Sequence, residues 1–466
     1  MAGSSSAADV GSSAPTALLA GFVTGWKPDP IPARALHEAQ RALLDFLGVA
    51  LVGTPEASSR IAAGIARREG AVGPAVVVGH GFRSSASFAA FVNGVSGHAL
   101  DYDPSATVKT TGHPVVCVVP AALAAAEEVD ASGSELLEAI IVGFEVVSRI
   151  GRSAGGDRGH HYTSGFHGTS VFGIFGATAA ACRLLRLDAE ATGRAFGIAA
   201  SGPKGLRVNY GTMSKPLHAG EASRAGVIAA MLANNGFTAA GDAIEGRFGW
   251  ASAVVADSFA PDQLTTGLGQ ALAIEQGVNF KRFPSCGASH ASIRATLRVM
   301  SENGLRPEDV DEIEVSLGRD ALEKTLTIPW PQVPLEGKFC APYVVAASWA
   351  DGRVDVDTFT DDKLRALAPY RDRVTVRGID GRPPVTALAR TVDGRELVHT
   401  ERGNYFSDES GAQSLSLSDL SDDELRQKFR DNVGVVRPAE RADALLDQLD
   451  RLAHERSLSE LAELLL

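Results

Sequence analysis

Apolar residues recur at three- and four-residue intervals along most of the first 275 positions. The stretches ALHEAQRALLDFLGVALVG, SASFAAFVNGVSGHAL, SELLEAIIVGFEVVSRIG and SVFGIFGATAAACRLLRL all show this period, which predicts helices with one buried face. Small residues dominate those faces, so the helices are expected to pack closely on one another with little room for a sheet. Beyond Phe280 the period shortens. DEIEVSLG and RVTVRGID alternate like half-buried strands. VTALARTVDGRELVHT has two strand-like arms around Asp393-Gly394, the dipeptide of a tight hairpin turn.

Helical pieces lie among these strands, SHASIRATLRVMSENG just before DEIEVSLG and PYVVAASWADG after it. After the serine-rich run SGAQSLSLSDLS, helical spacing returns in DDELRQKFRDN, ERADALLDQLDRLAHE and LSELAELLL. The pattern predicts a mainly α chain. Residues 1–14 read as a disordered tail, 15–275 with 411–466 as a large all-helical domain, and 276–410 as a smaller α+β domain. The chain shows no internal repeat and no sustained heptad pattern.

Composition narrows the function. A formal net charge of −12 and a pI of about 5.4 repel polyanions, which argues against nucleic acid and acidic membrane surfaces as partners. An anionic ligand would need a local positive pocket. Cys117, Cys182, Cys286 and Cys340 are widely spaced, without a CxxC pair, and read as reduced thiols of a cytoplasmic protein. The start, MAGSSSAADVGSSAP, lacks the basic and apolar regions of a signal peptide. No apolar run reaches the roughly 18 residues of a membrane span.

Against this background SKPLHAGEASRAG stands out, because an alanine-rich helix begins there with Lys215, Pro216 and His218. Pro216 is expected as the first helical residue and Lys215 as its cap. A cation is unfavourable beside the free N–H groups and positive dipole of a helix start, unless an anion sits there too. The pattern recurs. His113 precedes Pro114, His167 precedes a helix with Thr169 and Ser170 as expected capping hydroxyls, and His290 opens a helix just after Lys281 and Arg282. One such histidine is ordinarily a surface or capping residue; four helix starts together read as a site. GHALDYDPSA adds His98, Asp101, Asp103 and Ser105, where capping explains Asp103 and Ser105 and Asp101 is free to orient a base. No metal-ligand spacing, phosphate loop or nucleophile elbow is found, so neither metal nor cofactor is expected.

The stretches GHALDYDPS, GFHGTSVFGIFGATAAA, SKPLHAGEASRAGVIAAMLANNGFT, KRFPSCGASHASI and GKFCAPYVVA resemble successive signatures of the MmgE/PrpD family, over about residues 15–460. That family includes 2-methylcitrate dehydratases, cis-aconitate decarboxylases and iminodisuccinate epimerases. The resemblance implies a large all-helical domain built from both ends of the chain, a smaller lid domain, a homodimer and a metal-free site between the domains. By motif, its active-site positions fall on Asp101, Ser105, His113, His167, Lys215 and His290.

All three activities make or break a bond at a carbon next to a carboxylate, and the carbanion needs preorganised cations and N–H dipoles. Histidine titrates where such proton transfers occur. Two departures separate this chain from the dehydratase and decarboxylase members: Pro104 and Ser105 replace an acid and a threonine, and TLTIPWPQV, with Trp330, lacks a lid tyrosine. They point to a cofactor-independent epimerase of a small, iminodisuccinate-like polycarboxylate. A 2-methylcitrate-like dehydratase or cis-aconitate-like decarboxylase is the alternative, and a non-catalytic polycarboxylate binder the second. In this reading Lys215 is the base or carbanion stabiliser, with His113 or His167 on the opposite face. Asp101 orients a base, while His290, His218, Ser105 and Lys281 bind substrate.

Overall fold

Among the core helices, Gly133–Ser153 carries a side-chain cap. At Gly133–Ser153 the Ser132 hydroxyl accepts from the Glu135 N–H while the Glu135 carboxylate accepts from the Ser132 N–H, a reciprocal cap. In the computed structural model, which describes residues 14–106, 112–155, 159–202, 204–381, 383–401 and 420–466, this helix joins five others. They are Ala33–Val52, Ala86–His98, Val115–Glu128, Gly168–Leu184 and Ser214–Asn234, and they share one core. The expected tail, through residue 13, and most of the serine-rich run lie outside the described residues. The late helix Asp422–Val436 also belongs to this core through Leu425, Phe429 and Val433. No helix among the described residues is long and apolar enough to cross a membrane.

The expected mainly α chain with an all-helical large domain needs correcting, because the structure is mixed α and β. Strands β1 (Ala75–Val77) and β2 (Phe82–Ser84) form an antiparallel pair inside the part expected to be wholly helical. Strands β3 (Ser105–Ala106) and β4 (Val278–Asn279) pair antiparallel across a long stretch of chain. Neither pair is long enough to show a period of two. The main sheet, in order β6-β5-β7-β8, comprises β5 (Val310–Gly318), β6 (Val374–Ile379), β7 (Val385–Thr391) and β8 (Glu396–Glu401). β5 runs parallel to β6 and antiparallel to β7. Ile313, Val315, Ala387 and Ala389 cover one face of this sheet, and Ala291, Ala295 and Val299 of the helix His290–Glu302 pack in the same cluster. His290 opens this helix, with its ring edge-on to Phe283 at 5.2 Å.

Close helix contact sets the spacing on which the site depends. A Cβ on Gly94 would lie 2.8 Å from the Cα of Gly220, and one on Gly220 would run into the Phe91 carbonyl oxygen. Gly94 belongs to the helix that ends at His98, and Gly220 to the helix that carries Lys215. Gly220→Val is therefore expected to destabilise the fold by about 1–3 kcal/mol through overpacking, read as a lower urea midpoint. An unchanged midpoint would show that the helices can part without cost.

Candidate active site

The site begins at the C-terminal end of Ala86–His98. Asp101 adopts a left-handed backbone conformation (φ 51°), which aspartate tolerates better than most residues. Three contacts hold the turn. β3 pairs Ser105 with Asn279, and this ladder delivers Lys281 to Asp101, where its Nζ donates to the backbone carbonyl at 2.7 Å and lies 3.1 Å from Oδ1. Behind the turn, Lys428 donates to the Tyr102 carbonyl at 3.2 Å and pairs with the buried Asp45 carboxylate at 2.7 Å.

Lys215 is buried beside this turn. The helix starts two residues earlier than expected, at Ser214, so Lys215 lies within its first turn instead of capping it. Its Nζ donates to Asp101 Oδ1 at 2.8 Å and faces His98 Nε2 at 2.8 Å. A lysine ammonium only donates, so His98 Nε2 accepts, and its Nδ1 carries the proton given to Asp103 Oδ1 at 2.7 Å. Asp103, fully enclosed, also lies 3.0 Å from His113 Nδ1 through its other oxygen, at ion-pair distance but without a directed hydrogen bond. Burial alone would raise the Asp101 carboxyl; the Lys215 and Lys281 charges override it and hold Asp101 ionised, well below the usual range. Burial opposes ionisation of Asp103 as well, and the imidazoles of His98 and His113 outweigh it.

His167 and His218 form a second pair, with Nδ1 atoms 3.1 Å apart. Whichever ring donates there keeps a lone pair on its Nε2, so the pair offers one acceptor and one N–H donor. The His167 ring stacks 5.9 Å from His98 and meets Tyr210 edge-on at 5.2 Å. Tyr210 and Phe339 form an aromatic wall whose ring centroids lie 5.6 and 5.4 Å from Lys215 Nζ. His290 is fully buried, close enough to Lys281 and Asp101 for their charges to act on it. The Ser105 hydroxyl is buried without a hydrogen-bond partner among the described residues.

The expected residues Asp101, Lys215, Lys281, His113, His167 and His218 thus converge around one buried charge cluster, with Ser105 and His290 at its margins. Thr169 and Ser170 do not cap their helix. The Thr169 hydroxyl accepts from the His113 N–H, and Ser170 donates to the carbonyls of His167 and Lys204. Reasoning from sequence assigned Asp103 to capping and gave His98 no role, yet these two link Lys215 to His113. Their five-residue spacing across a sharp turn was the available signal. Tyr210 and Phe339 gave none, being ordinary aromatics in loops.

His98, Asp101, Asp103 and His113 also make a set of ligand atoms compact enough for a metal ion, all within 4.8 Å of one another. The donor chemistry does not fit one. Lys215 Nζ already sits between Asp101 Oδ1 and His98 Nε2, where a cation would lie, and His98 Nδ1 is turned to Asp103.

Burial also sets the charge state of these imidazoles. Burial, followed by the Lys215 charge, pushes His218 down to about 4 and His167 well below its ordinary value. Burial and Lys215 also outweigh Asp103 and bring His98 to about 4; burial and Lys281 bring His290 to about 3. These imidazoles are neutral in the folded protein, so each offers one N–H donor and one lone pair but no charge. Unfolded, each titrates near 6.5, so the unfolded chain binds more protons below that value. The stability from keeping them neutral is complete above about pH 6.5 and lost as pH falls toward 4, by up to about 1.4 kcal/mol per pH unit for each group. Urea midpoints should therefore drop steeply between about pH 6.5 and 5. Constant midpoints over that range would contradict the neutral assignments.

Compared with known proteins, the chain matches the MmgE/PrpD N-terminal domain over residues 17–262 and the MmgE/PrpD C-terminal domain over residues 283–452. It is 27% identical to a cis-aconitate decarboxylase of Homo sapiens, over 97% of this chain and 94% of that protein. It is 28% identical to a cis-aconitate decarboxylase-like protein of Aspergillus oryzae, over 97% of each, and 24% identical to a cis-aconitate decarboxylase of Aspergillus terreus, over 88% and 83%. These relatives overturn the expected isomerase: they are named as decarboxylases or decarboxylase-like, and nothing in them supports an iminodisuccinate epimerase. The departures at Pro104, Ser105 and Trp330 were weak grounds for that choice. Asp101 and Asp103 carry the charge cluster without a third acid, Ser105 keeps a hydroxyl, and Trp330 packs against Tyr343 in the apolar cluster of the smaller unit.

Proposed function

The chain belongs to the MmgE/PrpD family, and from that premise we propose that it is a cofactor-independent decarboxylase of a small unsaturated tricarboxylate of the cis-aconitate type. The observation that carries this reading is the buried Lys215 ammonium, held between Asp101 and His98 beside an aromatic wall. In such a reaction the bond to the departing carboxylate breaks and its electron pair forms a new double bond to the neighbouring carbon. The original π pair moves to the carbon beside a remaining carboxylate. One CO2 leaves, and one proton must be added to that enediolate-like carbanion.

Lys215 suits the last step. With its Nζ donating to Asp101 and facing the acceptor His98 Nε2, the role proposed for Lys215 is proton donor, where the sequence suggested a base or carbanion stabiliser. Lys281 and Lys215 stabilise the remaining carboxylates and the developing dianion. The Tyr210 and Phe339 rings give the departing carboxylate a poorly hydrated surrounding, which favours loss of its charge as CO2. The His167–His218 pair and the Ser105 hydroxyl supply neutral hydrogen bonds that orient the acid.

The test is NMR of the protein with cis-aconitate in D2O and EDTA. Expected are one equivalent of CO2 and one solvent deuterium in a methylene of the product. Unchanged cis-aconitate, with dehydration of a 2-methylcitrate-like hydroxy acid, would assign a dehydratase instead. Thermal stabilisation by polycarboxylates with no turnover of either acid would assign a binding protein.

A further inference from the structure

Lys338 is a buried cation that the proposed reaction does not use. It follows the short helix Pro334–Gly337 and is 2% exposed, a costly place for an ammonium without compensation. Its Nζ donates to the Pro284 carbonyl at 2.9 Å and lies 4.0 Å from the centre of the Phe359 ring; no ion pair to a carboxylate is present among the described residues. Its own carbonyl accepts from the Cys286 N–H at 3.0 Å. Lys338 therefore holds residues 284–286 by both its side chain and its main chain. Burial lowers its amine to about 7, and either protonation state retains N–H groups to donate.

Between those two anchor points lies Ser285, whose carbonyl is 3.2 Å from His290 Nε2. Its hydroxyl lies 3.0 Å from that of Ser289, which donates to the Cys286 carbonyl at 2.7 Å. A carbonyl only accepts, so His290 Nε2 carries the proton and Nδ1 keeps a lone pair. That Nδ1 is buried and has no hydrogen-bond partner among the described residues. An orphaned acceptor of this kind is costly unless a donor arrives.

We propose that Lys338 is a positioning residue: by holding the Pro284–Cys286 backbone it fixes His290 in the Nε2–H tautomer, leaving Nδ1 to accept from a protonated carboxyl group of the bound acid. The carboxyl contact rests on the reading that His290 serves the substrate site; the tautomer does not. An apolar residue of the same length would fill the space over Phe359 equally well, so what the lysine adds is the donor to Pro284.

The experiment uses full-length protein with 15N-labelled histidine, His290 being identified by the signal lost in His290→Asn. Wild type is expected to show a single neutral Nε2–H tautomer. Lys338→Met should shift His290 to a mixture of tautomers and raise KM for cis-aconitate at least about tenfold, with a smaller change in kcat. Lys338→Gln keeps an N–H donor without the charge, and should restore both the signature and most of the KM. A wild-type tautomer in Lys338→Met overturns the proposal, and a raised KM beside it assigns Lys338 to direct substrate binding. Should Lys338→Met fail to fold, departure of His290 from the Nε2–H tautomer in Lys338→Gln overturns it as well. Lack of turnover of cis-aconitate by wild type would sink the proposed reaction while leaving the tautomer result readable.

Discussion

Lys215→Met is expected to lower kcat by about 10³-fold or more, since it removes both the proposed acid and a cation of the dianion pocket. The substitution keeps most of the side chain's length, so the aromatic wall of Tyr210 and Phe339 retains its neighbour. Stripping one partner from a buried ion pair ordinarily costs about 3–5 kcal/mol. Here the cost should be smaller, because Lys281 remains 3.1 Å from the same Asp101 oxygen. Folded protein, checked by circular dichroism and urea unfolding, with CO2 release near background is the expected result. Turnover within a few-fold of wild type would make Lys215 structural and the proposed centre wrong.

Asp103→Asn should be nearly as damaging although it changes shape very little. The carboxylate accepts from His98 Nδ1–H and so keeps His98 Nε2 as the acceptor for Lys215. An asparagine amide can instead donate to Nδ1. His98 would then carry its proton on Nε2, donor against donor with the Lys215 ammonium. Loss of the orienting carboxylate of a histidine in this way typically costs roughly 10²–10⁴ in rate. His113 loses its ion-pair partner in the same change. The expected outcome is a folded protein whose kcat falls by that factor and whose pH–rate profile moves. A kcat within about threefold of wild type would show that the His98 tautomer is irrelevant to Lys215.

Much of the local structure was legible in the order of residues alone. The helix Gly133–Ser153 announces itself by period and by its capping box, and β5 by its alternation, because both signals arise between residues a few positions apart. The candidate chemistry could be named for the same reason: a lysine or histidine at a helix start is visible without knowing where the helix lies. Three things were not legible. The short pairs β1–β2 and β3–β4 carry too few residues for a period of two, and β3 finds its partner only because the tertiary fold brings residue 279 to residue 105.

The bonding of the site was likewise decided by tertiary structure. Lys215 meets His98 across 117 positions and Asp101 across 114, and Lys281 reaches Asp101 across 180. Those distances depend on how closely two glycine-bearing helices approach, which no local pattern encodes. Charge state follows from the same packing. His167 and His290 are neutral, because burial beside lysines removes water and adds positive charge together. The sequence alone thus determined which helices and strands could form and which reactive groups were available. Tertiary structure decided their partners and the charge states of the buried histidines, since those properties depend on desolvation and contacts between residues far apart in the chain.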